Sequence, residues 1–264
     1  MFYRFFKRLS ALCIFAFLAA CGSDYRNGSY TIGFDPSWVG IDLMGQQNNV
    51  TGFSRDLLKE IGRIEKTRLS LLPVSWDVLV PNLKSHQYDA ILSSIYPYLF
   101  NQTYFDFSDP YLLTGPVLVL PISSMVTSIA QLNGKEIATL PDTNAALYLE
   151  KNPTILIRNY DSTPDAFNAV AAGMVDGAVA EALIANAYCR NIYNGKLQIA
   201  THPFNDNGLR VLTRSQTSLD LLKAIHRGLN ALKKNGTYDA LLKKWSLNTP
   251  TAPTIPKNMP ATSS

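Results

Sequence analysis

The stretch 88–116 limits the possible folds more than any other. Residues 89–95 form a short, mostly apolar run that breaks into turn chemistry around Pro97. This suits a buried strand whose carboxyl end opens onto a loop. A second apolar run, 117–120, follows Pro110, which pushes Asp109 out of the helical region. The chain therefore passes from one run to the next as an extended crossing. Ligands of open α/β sheets gather at the carboxyl ends of strands. Residues 93–101 are accordingly the first candidates for ligand contact.

The rest of the chain alternates strand and helix. Tyr30, Ile32 and Phe34 alternate with smaller or polar residues, which predicts a first strand ending in the loop that holds Asp35 and Trp38. Ser54 is a candidate cap for a helix whose Leu57, Leu58, Ile61 and Ile64 share one face. A strand at 69–74 and a helix at 77–84 complete a βαβ alternation, which predicts a largely parallel sheet. After the crossing the pattern restarts, with strands at 136–140, 154–157 and 175–180. Helices are predicted at 145–150, from Ser162 to Gly173, and onward from Glu181. A return crossing at 205–208 leads to a strand at 209–212 and an amphipathic helix at 218–234. A last helix, capped by Thr237, ends near Trp245. The α/β chain thus divides into two lobes, 29–110 with 208–247 and 116–202. They are joined by hinge crossings at 111–115 and 203–207, and 248–264 is a Pro/Thr/Ser-rich tail read as disordered.

Residues 1–20 read as an address. A basic start with Arg4, Lys7 and Arg8 precedes an apolar run too short to span a bilayer, and Leu18-Ala19-Ala20-Cys21 fits a lipoprotein cleavage box. Cys21 is the expected lipidation site, and 21–28 a polar tether. Those three cations supply most of the net charge of +4, so the remainder lacks the clustered basic face of a nucleic-acid binder. With Cys13 in the address segment and Cys21 the expected anchor, Cys189 alone remains and no intrachain disulfide is expected. His86, His202 and His226 are too scattered for a metal set, so neither metal nor cofactor is expected.

Several segments in the right order carry a family resemblance. They are 30–38, 51–53, 74–83, 88–111, 132–135, 172–177 and 234–245. Together the chain resembles the bacterial extracellular solute-binding proteins of family 3, the receptors of polar-amino-acid ABC importers. The resemblance implies a two-lobed, type II periplasmic-binding-protein-like fold, with each lobe a mostly parallel sheet flanked by helices. It also implies a monomeric, exported receptor that passes a small ligand, an amino acid or amine, to a separate membrane permease. The family's aromatic sandwich falls on Trp38 and Trp76, and the ligand loop after its "DAIIS" strand on Ser93, Ser94, Tyr96 and Tyr98. The carboxylate-holding helix start falls on Thr143 and Asn144, and the ammonium-gripping acid on Glu181. Asp35 adds a second acid near the aromatics.

One position departs from the pattern. Where the family carries a carboxylate-clamping arginine, this chain has Asn101, which supplies no charge. Arg210 and Arg55 are the candidate replacements, and aromatic faces with a carboxylate also suit a ligand ammonium. Two alternatives stay open. One is a cleft enzyme resembling cyclohexadienyl dehydratases with Glu181 as general acid. The other is a sensor or adhesin that has lost transport.

Overall fold

The computed structural model describes residues 28–248. The expected address segment, Cys21, all of the tether except Gly28 and all of the tail except Asn248 lie outside the described residues.

Strand β1 (Ser29–Phe34) leads into helix α1 (Gln47–Glu65), whose Val50, Phe53, Leu57, Leu58 and Ile61 form a buried stripe. The helix starts well before Ser54, so Ser54 is not its cap. Val50 and Phe53 carry the apolar stripe backwards, and burial outweighs capping. The Ser54 hydroxyl instead donates to Val50 O at 2.8 Å and pairs with the Tyr111 hydroxyl at 3.0 Å. Next come β2 (Arg68–Pro73), α2 (Trp76–Lys84), β3 (Ala90–Ser93), the single turn α3 (Leu99–Gln102), β4 (Phe105–Phe107) and β5 (Leu112–Leu113). The second unit holds β6 (Pro116–Pro121), β7 (Glu136–Thr139), α4 (Asn144–Leu149), β8 (Leu156–Asn159), α5 (Thr163–Ala171), β9 (Gly177–Glu181), α6 (Ala182–Asn191) and β10 (Leu197–Ile199). The chain then returns through β11 (Gly208–Arg214) to α7 (Leu219–Lys234) and α8 (Thr237–Lys244). Gly236, in the left-handed region at φ 78°, precedes α8, so Thr237 is its first residue rather than its cap.

There are two sheets, with strand orders β2-β1-β3-β11-β4 (β5 pairing with β11) and β10-β6-β9-β7-β8. Both are mixed, not mostly parallel. β1 runs parallel to β2 and β3, and β7 to β8 and β9. β11 opposes β3, β4 and β5, while β6 opposes β9 and β10. Parallel neighbours need a crossover connection, usually helical. β6 and β11 enter their sheets from the crossings between sheets, so they meet neighbours that no such helix links to them. Two buried clusters flank each sheet, which makes each a layer between helices.

The crossings run side by side, with the Thr114 and Gly115 N–H groups both donating to Asn207 O at 2.8 and 3.2 Å. Leu183 on α6 packs into the core of the first sheet, and Gln46 Nε2 donates to Leu183 O at 2.9 Å. These elements bring the carboxyl ends of β1, β3 and β9 toward a common space.

Candidate functional site

A cavity of about 220 Å³ opens where the two sheets face each other. The first sheet contributes Ser94, Tyr96 and Tyr98 from the loop after β3, and Gly40, Ile41 and Asp42 from the loop after β1. The crossings contribute Thr114, Asn207 and Gly208. The second sheet contributes Asn144 at the start of α4, with Glu181, Leu183 and Ile184 where β9 turns into α6. This is the position that open α/β sheets reserve for ligands.

Of the residues expected at the site, the structure brings together Ser94, Tyr96, Tyr98, Asn144 and Glu181. Asp35, Trp38, Trp76 and Ser93 instead border a neighbouring crevice of about 10 Å³, which shares Ile41 and Ser94 with the cavity. That is room for a water at most. Trp38 is only 4% exposed in the core beside the first sheet, with its indole N–H bonded to Thr51 Oγ1 at 3.0 Å. Its apolar bulk is worth more there than in a solvated cleft. Trp76 stands half exposed at the start of α2. Asp35 builds its own turn, accepting from the Ser37 hydroxyl and from the Ser37 and Val39 N–H groups. Burial pushes its carboxyl up, but these bonds outweigh that and hold it below the usual value.

Ser93 is buried and accepts from the Ile95 N–H. Thr143 caps α4 by accepting from Ala146 N at 3.2 Å. Asn101 turns back into its own loop, Nδ2 donating to Tyr96 O at 2.8 Å. It braces the loop rather than lining the cavity.

Neither candidate arginine lines the cavity. Arg55 is exposed on α1. Arg210, 4% exposed, donates to Ser108 O at 3.1 Å, and to Asp206 O at 2.8 Å and Asp206 Oδ2 at 2.7 Å. Asp206 Oδ1 in turn accepts from the Tyr96 hydroxyl at 2.8 Å. Burial pushes Asp206 up, but the Tyr96 and Arg210 bonds prevail and its carboxyl lies below its ordinary value. The Tyr96 phenol is raised, first by its bond to Asp206 and then by burial.

Glu181 is the outlier. It ends β9 and precedes α6 without capping it. Burial raises its pKa to about 7, opposed only by the hydrogen bond from the Ala145 backbone N–H. Its Oε1 is buried with no hydrogen-bond partner. A carboxyl with one buried, unpartnered oxygen in a cleft that joins two sheets is built to take a charged or donating guest.

Gly40, Ile41, Asp42, Thr114, Asn207, Gly208, Leu183 and Ile184 also line the cavity and were not expected there. Some signal for them existed. Asn207 and Gly208 lie in the recognised crossing, and Leu183 and Ile184 fill the helical turn after Glu181.

The profile of the bacterial extracellular solute-binding proteins, family 3, matches residues 30–248. The chain is 27% identical over 221 residues to the ABC transporter arginine-binding protein 1 of Escherichia coli K12, covering 81% of this chain and 88% of that protein. It is 26% identical over 263 residues to the ABC transporter glutamine-binding protein GlnH of Bacillus subtilis, covering 90% and 95%. Its fold is similar to the unliganded, open L-cystine solute receptor of Neisseria gonorrhoeae. That match has a TM-score of 0.67 and 19% identity, over 85% of this chain and 95% of that one. A family match running from the first strand to Asn248, on a two-sheet fold with a cavity between the sheets, leads to one conclusion: the chain belongs to the bacterial extracellular solute-binding proteins, family 3.

Proposed function

We propose that the mature chain is the solute-capturing component of an ABC importer, holding an amino acid or related small amine-bearing solute and delivering it to a separate permease. One observation carries this reading: the cavity walled by both sheets, with the Glu181 carboxylate, its Oε1 unpartnered, in its lining. Ser94, Tyr96, Tyr98, Asn144 and Glu181 are its proposed ligand contacts. The relatives named for binding arginine, glutamine and cystine support the amino-acid class.

Residues 111–115 and 203–207 act as the hinge between lobes 29–110 with 208–247 and 116–202. A solute touching both walls favours the closed form through its differential affinity. The chain works as a monomer without cofactor, tethered outside the membrane through lipidated Cys21. Among the described residues no helix is long and apolar enough to cross a membrane. Palmitate labelling that disappears in Cys21→Ser supports the anchor, and labelling unchanged by that substitution contradicts it.

A thermal-shift screen of the amino acids and small amines tests the capture reading. A specific solute at 100 times its Kd adds about 2.7 kcal/mol of stability and raises Tm. A screen in which no solute raises Tm, or in which Glu181→Gln and Tyr96→Ala leave the shift intact, defeats this assignment of the site.

A further inference from the structure

The cavity carries acid and no base. Asp42 and Glu181 are carboxylates, and none of its described lining residues is Lys, Arg or His. The buried guanidinium of Arg210 lies outside the lining, over the Tyr96 ring at 5.9 Å; its terminal nitrogens donate to Asp206 and Ser108 O, and its Nε has no partner. The Asn101 amide is spent on Tyr96 O. Besides neutral side-chain donors such as Ser94, Thr114 and Asn207, an anion could use the N–H groups opening α4, and there the Glu181 carboxylate already accepts from Ala145. A protein carboxylate thus stands where a guest carboxylate would settle. A second anion would be desolvated beside it with no cation among the described lining residues to pair, at a cost of several kcal/mol.

An ammonium meets the opposite situation. It finds the unpartnered Glu181 Oε1 and the rings of Tyr96 and Tyr98, whose centroids lie 4.8 Å apart. A cavity of about 220 Å³ suits a small-molecule guest.

We infer that this cleft selects small organic amines that carry no free carboxylate, with Glu181 accepting the ammonium and Tyr96 and Tyr98 walling its alkyl stem. The inference rests on the solute-binding reading above and names the ligand class of the same site. It departs from the amino-acid class of the named relatives because of this chain's own charge layout, in which the cavity offers two acids and no base.

Matched pairs that differ only in the carboxylate test it: ornithine with putrescine, lysine with cadaverine, arginine with agmatine. Isothermal titration calorimetry on the mature chain is expected to show the decarboxylated member binding about tenfold tighter or more in at least one pair, equivalent to about 1.4 kcal/mol. In Glu181→Gln that preference collapses while the thermal transition persists. Equal affinities within the pairs, tighter binding of the amino acids, or binding confined to other amino acids all overturn the inference and leave the solute-binding reading standing. A folded protein that binds neither these compounds nor any of the twenty amino acids overturns both.

Discussion

Glu181 carries the functional argument at the scale of single residues. Its pKa rises from 4.5 to about 7 through burial. Between those values the folded chain binds more protons at this site than the unfolded chain, so the unliganded protein loses stability as pH rises through that window. The full cost above pH 7 is about 3 kcal/mol, from about 1.4 kcal/mol per pKa unit. Glu181→Gln is therefore expected to stabilise the unliganded protein at pH 8 and to change little at pH 4. Urea denaturation at both values reads the difference, and equal midpoints at pH 8 contradict the account. A cationic ligand reverses the sign, because it favours the ionised carboxylate. Its affinity should fall from pH 8 to pH 6, with protons released on binding at pH 6. The neighbouring titratable side chains in the cavity are Asp42, Tyr96 and Tyr98, and the phenol of Tyr96 is raised and stays neutral over that range.

Sequence showed some of these residues and hid others for physical reasons. Ser94, Tyr96, Asn144 and Glu181 stand at strand ends and a helix start, positions that face a cleft by topology. An aromatic in such a loop carries no such guarantee. Trp38 follows β1 as expected yet folds inward, because the Thr51 hydroxyl satisfies its indole N–H and the core buries the rest. Asp35 was equally ambiguous, since a short acid after a strand builds a turn as readily as it binds a ligand.

At the scale of elements, two close approaches hold the first unit in shape. Helices α1 and α7 meet at Gly228, where an added Cβ would lie 2.7 Å from Ile61 Cγ2, and Ile61 is fully buried. Gly228→Ala is expected to cost about 1–3 kcal/mol through overpacking, despite its better helix propensity. Chemical denaturation measures this, and a gain in stability would show that the helices separate freely. β11 contributes the second, through Arg210. Arg210→Met roughly keeps the volume but strips Ser108 O and Asp206 of the guanidinium, leaving Asp206 only the Tyr96 hydroxyl. A loss of about 2–3 kcal/mol is expected, reduced because Asp206 is itself more than half exposed. An unchanged urea midpoint would mean that water replaces the guanidinium at no cost.

The helices at 219–234 and along the apolar stripe of α1 were legible because spacing is local. The mixed direction of both sheets was not. It depends on where β6 and β11 insert after the chain has crossed between sheets, and no window of sequence contains that information.

On the scale of the whole molecule, the two units touch beyond the crossings. Leu183 inserts into the opposite core and Gln46 reaches Leu183 O, while Asn186 at the buried face of α6 donates at 2.7 Å to the O of Asn248, the residue that follows the first unit. These contacts set the separation that a solute must change. Phe100, 67% exposed and stacked on Tyr98, and Leu147, 54% exposed on α4, stand on elements of opposite units whose Tyr98 and Asn144 line the cavity. Spin labels at these two positions give the direct test of closure by electron–electron resonance. The tightest-binding solute from calorimetry is expected to shorten the inter-label distance, and Glu181→Gln to reduce this shortening at equal solute concentration. A bound solute that leaves the distance unchanged would contradict capture between the two units.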